Sequence, residues 1–136
     1  VDRILIDQKL ESLRRCIQRV ESKLPDSVEA LKEDLDAQDI VALNLTRAVQ
    51  ICVDIAAHWL ADHSEALAPK TMGQTFEALS QVGFIEKELA ERMKKAVGFR
   101  NVMVHSYDEI DWAIVYAIGH RHLDDFKVFT RAFSKL

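Results

Sequence analysis

Glycine and proline are scarce in this chain, four and two residues out of 136. With so few turn-formers, a fold of many short strands joined by tight turns is poorly supported, and helices are favoured from the outset. Cysteine is equally rare. Cys16 and Cys52 both fall inside helical patterns, and two thiols supply no disulfide framework, which fits a reducing, cytoplasmic compartment. No uninterrupted apolar run approaches the ~18 residues that span a bilayer, and the charged N-terminus lacks the apolar stretch of a signal peptide. The expectation is a protein neither exported nor embedded in a membrane. An excess of basic charge is also missing, because the formal net charge is −4. Broad electrostatic attraction to nucleic acid needs a basic surface that displaces counterions, so any contact with RNA has to be local.

What is present is enough apolar residue, 49% of the chain, to build one core, and a length that suits one domain over residues 1–136. Ile6, Leu10, Leu13, Ile17, Val20 and Leu24 recur every three or four positions, predicting a helix from Arg3 to Leu24 that Pro25 ends. Six acids against one base follow between Asp26 and Asp39, read as a solvated helical turn or two leading to the next helix. From Ile40 to Leu60 apolar residues cover close to half the circumference, which predicts the central helix of a bundle. Its other face carries Arg47, Gln50, Asp54 and His58, either a solvated face or a subunit interface.

Asp62 to Gly73 reads as a loop, closing with a capping box at Thr71 and Gln74. A short helix with Phe76, Leu79 and Val82 on its apolar side follows, and Gly83 suits the left-handed position after its end. The next helix runs from about Ile85 to Val104 on the stripe Ile85, Leu89, Met93, Ala96 and Val97. Ser106 to Asp111 supplies turn and capping residues before a last helix that buries Ile114, Ile118, Phe126, Phe129 and Phe133. The fold expected is therefore all-α, an up-and-down bundle of about five helices.

Arg100 projects between Leu89 and Met93, inside the apolar stripe of its own helix, so its guanidinium must find a partner. A snorkelling or ion-paired arginine satisfies that requirement. Yet from Arg92 to Tyr107 the chain holds Arg92, Lys94, Lys95 and Arg100 and no acid, a local positive field that suits a phosphate. Lys94 and Lys95 also fit a solvated basic face. His105 lies five positions on, and five steps around a regular helix separate two side chains by ~140°. The two can meet if the helix ends before His105, with Ser106 to Glu109 as the capping box of the next segment, or if a symmetric dimer brings Arg100 of one subunit near His105 of the other.

The run Arg100-Asn101-Val102-Met103-Val104-His105 resembles the signature of the HEPN superfamily, and Ser106-Tyr107 extends it to the form typical of HepT-like toxins. Leu45 to Gln50 with Asp54 and His58 resembles that family's second helix. The resemblance implies a type II toxin acting as a metal-independent endoribonuclease without a cofactor, in a homodimer with a shared cleft. Arg100 would hold the scissile phosphate and His105 would move the proton of the 2′-hydroxyl, with Asn101, Lys94 and Lys95 supporting catalysis or RNA binding. An arginine binds phosphate oxygens in a bidentate fork, and free imidazole titrates near ~6.5, so the chemistry is available at neutral pH. The implied partners are RNA and a minimal nucleotidyltransferase antitoxin that adenylylates Tyr107. The competing reading is a non-catalytic helical subunit of such a nucleotidyltransferase that binds a nucleotide or a partner through the same residues.

Metal chemistry finds little support: there is no Glu-x-x-His pair of the di-metal bundles, and in His120-Arg121-His122 residues two apart face different ways. His122 is expected at the edge of the core. No Gly-rich phosphate loop and no Ser-His-Asp ordering occurs.

Overall fold

The computed structural model describes residues 2–63 and 69–136. Seven α-helices and no strands occur among them. The first, α1 (Arg3–Lys23), starts where Asp2 accepts a hydrogen bond from Leu5 N at 3.1 Å, and it buries the anticipated Ile6, Leu10, Leu13, Ile17 and Val20. Leu24 is only half-buried and Pro25 follows the cap.

The acidic stretch holds a helix of its own, α2 (Val28–Glu33), capped by Ser27. Asp34 then closes α2 and opens α3 (Leu35–Ala61), its carboxylate accepting from Ala37 N at 3.0 Å. The central helix thus begins five residues earlier than its apolar pattern indicates, which places Asp39 on a helix instead of in a connection. Buried Gln38 donates to Leu31 O at 2.9 Å and Lys32 O at 3.1 Å, satisfying carbonyls at the end of α2. Every core residue anticipated between Val41 and Leu60 is buried, and α3 packs on all six other helices. By length and composition α3 could cross a bilayer, against the expectation that no segment reaches that length; more than half of its most apolar stretch is buried inside the protein.

Part of the predicted loop, Ser64 to Ala68, lies outside the described residues. Beyond it, α4 (Met72–Gln81) starts where Thr71 Oγ1 accepts from Gln74 N at 3.2 Å, while Gln74 Oε1 accepts from Lys70 N at 2.8 Å instead of from Thr71, so the box is displaced by one residue. Gly83 takes φ 79°, and Phe84 N→Leu79 O and Gly83 N→Ser80 O, both 2.9 Å, complete a Schellman ending. Helix α5 (Lys87–His105) packs chiefly on α4 and buries Leu89, Ala90, Met93, Val97 and Met103. It runs through His105, so the expected break before that residue is absent. Ser106 makes no side-chain cap, and Tyr107–Glu109 form a single 3-10 turn instead of a capping box.

The anticipated last helix is two, α6 (Trp112–Arg121) and α7 (Leu123–Ser134), separated at His122. Val115 and Gly119 are what α6 buries; Ile114 is half exposed, Ile118 half-buried, and His122 is exposed instead of lying at the core edge. Phe126, Phe129 and Phe133 of α7 are buried as expected.

Candidate active site

Arg100 lies on the inner side of α5, where the stripe of Leu89, Met93 and Val97 puts it beside α3. Among the described residues no carboxylate pairs with it. Its Nη1 donates to Asn101 Oδ1 at 3.0 Å and its Nη2 to Gln50 Oε1 at 3.2 Å, while its Nε is buried with no hydrogen-bond partner. Two neutral amides hold the group in place and leave its charge uncompensated. A buried donor without an acceptor carries a desolvation cost on the order of 1–3 kcal/mol.

Gln50 is itself fixed, because its Nε2 donates to Asp54 Oδ1 at 3.0 Å, and Asp54 Oδ2 lies 3.6 Å from Lys9 Nζ on α1. Three helices therefore contribute to one polar chain, Lys9 to Asp54 to Gln50 to Arg100. Of the polar face of α3 singled out above, Gln50 and Asp54 join this chain, Arg47 is exposed, and His58 stands half-buried near the helix end. Asn101, expected to support catalysis or RNA binding, accepts from Arg100 and helps to hold it.

His105 is the last residue of α5 and is exposed. Because the helix is continuous, its side chain leaves the axis ~140° from that of Arg100 and about 7.5 Å further along. Lys94 and Lys95 do not gather at Arg100. Lys94 is bound to Glu77 of α4, with its stem over Gly73, and Lys95 borders a separate groove of about 380 Å³ that includes Arg92, Ile114 and Ile118.

Tyr107, two residues past His105, is 41% exposed. Its phenol donates to Asp39 Oδ1 at 2.7 Å and its ring meets Trp112 edge-on. Partial burial, then the hydrogen bond and charge of Asp39, push its pKa up to about 12. The acidic run thus supplies a partner that a reading of it as solvated surface passed over. The signal available was the helical register: a start at Leu35 turns Asp39 towards the end of α5.

Among the described residues no three His, Cys, Asp or Glu side chains come together as a metal-ligand set. Both thiols are buried. Burial raises Cys16 against the pull of Arg47 and Arg15, and it raises Cys52 well above the usual thiol range.

The family described as "Ribonuclease HepT-like" matches residues 13–133. An mRNA nuclease HepT of Shewanella oneidensis is 35% identical over 125 residues, 92% of each chain. A tRNA nuclease HepT of Aphanizomenon flos-aquae is 24% identical, over 96% of this chain and 88% of that one. The solved structure of a tri-AMPylated Shewanella oneidensis HEPN toxin in complex with MNT antitoxin superposes with a TM-score of 0.89 at 33% identity, over 100% of this chain and 99% of the other. Fold and site define an all-helical ribonuclease of the HEPN type. Within that class the chain belongs to the ribonuclease HepT-like family.

Proposed function

We propose that the chain is a metal-independent endoribonuclease toxin in which Arg100 and His105 carry out the cleavage. The scissile phosphate would meet the guanidinium of Arg100, whose charge has no carboxylate counterion among the described residues. That unpaired guanidinium, on the same helix as an exposed histidine, is the observation that carries the reading. His105 takes the proton of the ribose 2′-hydroxyl, and the 2′-oxygen attacks phosphorus as the bond to the 5′-oxygen breaks. The 5′-oxygen takes a proton from water, and His105 gives its own up to the hydroxide so formed. The products are a 2′,3′-cyclic phosphate and a 5′-hydroxyl. Because the two side chains diverge on one helix, a homodimer with a shared cleft is the arrangement that brings them onto one phosphate.

The Shewanella toxin is described as tri-AMPylated and bound to an MNT antitoxin. By analogy, a nucleotidyltransferase antitoxin adenylylates this chain on Tyr107 in the cytoplasm. The phenolic oxygen attacks the α-phosphorus of ATP, pyrophosphate leaves, and the phenolic proton passes to Asp39, which already accepts it at 2.7 Å. The added phosphodiester is anionic, and one helical end away Arg100 offers it a cation, so inhibition is occupancy of the cleft.

The test is RNA-end analysis after expression of the intact protein and of His105→Ala. Cyclic-phosphate ends that need His105 and persist in a chelator are expected; recovery only on adding Mg²⁺ would contradict the mechanism. For the handle, incubation with the partner enzyme and ATP should add mass to the Tyr107 peptide. Modification of Tyr116 instead would refute that assignment.

A further inference from the structure

A second cationic feature lies outside the Arg100 motif. Between α1 and α3 runs a groove of about 620 Å³ into which Lys9, Arg15, Arg19 and Arg47 open, and no carboxylate lines it. This is unusual in a chain with 22 acids and 18 bases. Arg15, Arg19 and Arg47 are exposed and have no acidic partner among the described residues; Arg15 donates only to Ser12 Oγ at 3.3 Å. Lys9 is offset by Asp54, but the three arginines are like charges gathered without counter-charges, so the arrangement favours an anionic ligand. Lys9 and Arg19 are ten residues apart on α1, a run of about 15 Å, which exceeds one nucleotide and suits a chain of phosphates. At the Lys9 end, Gln50 lines the groove and also accepts from Arg100. The groove therefore leads to the guanidinium assigned to the scissile phosphate.

We infer that this α1–α3 groove binds the phosphodiester backbone of single-stranded RNA beside the cleavage position, a proposal that rests on the ribonuclease reading above. Leu43, half exposed, and Ile51 give the groove an apolar patch for base or ribose surfaces. The positive stripe reconciles an acidic protein with an RNA substrate, since the attraction is confined to one track. Arg100 fixes the phosphate to be cut, and the groove fixes the strand around it.

The experiment uses His105→Ala full-length protein and a fluorescent single-stranded RNA of about twenty nucleotides, with affinity measured against salt. Replacing Arg15, Arg19 and Arg47 together by Ala should flatten the log–log salt dependence by about 2, at ~0.7 per cation removed. In the otherwise intact enzyme the same triple variant should raise KM on that RNA at least tenfold with kcat unchanged. It should leave a trinucleotide substrate unaffected. Arg131→Ala, on α7, is the control and should change neither quantity. An unchanged salt slope and KM would overturn the groove. Equal loss on the trinucleotide, or loss of the oligomer in the triple variant, would also overturn it. Absence of cleavage by the intact enzyme would defeat the ribonuclease reading alone, because the binding arm does not depend on turnover.

Discussion

A guanidinium held by two amides instead of a carboxylate keeps its charge available, and Arg100 is in that position. Arg100→Lys keeps the charge but loses the fork, so single-turnover cleavage should fall by about a hundredfold, with helicity unchanged. Gln50→Leu should act in the same direction through Arg100 and more weakly. At Tyr107, Asp39→Asn removes the acceptor charge, so the phenol should titrate measurably below about 12 when followed by ultraviolet absorbance, with Tyr116→Phe to isolate the signal. An unchanged titration would show that the Asp39 contact does not hold in solution. A phenol raised on folding stabilises the native state fully below its unfolded pKa of ~10, and that contribution is lost as pH rises through about 12. The Arg100 anomaly was legible in the sequence because a charge on an apolar stripe stands out by period alone. Its partner Gln50 was not, nor was Asp39 as the partner of Tyr107, since both lie far off in the chain and only the packing of α3 against the end of α5 brings them near.

Among the elements, α5 shows what periodicity misses. Val102 and Val104 are β-branched and disfavour a helix, yet α5 continues through them, because helix packing outweighs a propensity difference of a few tenths of a kcal/mol per residue. The split at His122 was equally hidden. Ile118 and Phe126 are eight apart, a spacing that a continuous helix would also give, and although His122 at φ −114°, ψ 8° leaves helical geometry, no glycine or proline marks the place. Gly119 carries the trace of the real arrangement, for a Cβ there would come within 3.2 Å of Leu24 side-chain atoms on the α1 side. Two glycine substitutions test the local account by chemical denaturation. Gly83→Ala should destabilise by about 1–2 kcal/mol, through its positive φ alone, since a Cβ there meets nothing within 4 Å. Gly98→Ala, exposed and inside α5, should stabilise by about 0.5–1 kcal/mol. A loss at Gly98 would mean that this face is covered in the assembled protein.

At the scale of the whole molecule, α3 serves as both core and scaffold. Its apolar side fills the bundle, while Asp39, Arg47, Gln50 and Asp54 on its other sides reach Tyr107, the basic groove, Arg100 and Lys9 in turn. The all-helical class and its central helix could be read from apolar spacing, whereas the number of helices could not, because short α2 and the α6–α7 break leave no distinct period. The buried thiols offer a check on cohesion: with Cys16 at 7% exposure and Cys52 at 0%, a thiol reagent should label the folded protein slowly and the unfolded one at once. Rapid labelling of both in the native state would contradict the packing of α1 on α3. The account turns, however, on two side chains. The most direct measurement is the cleavage rate of a defined RNA, in chelator, by the intact protein, Arg100→Ala and His105→Ala. Each substitution is predicted to lower the rate by at least about a hundredfold while circular dichroism and oligomeric state stay unchanged. Cleavage that survives both substitutions would contradict the assignment of the chemistry to α5.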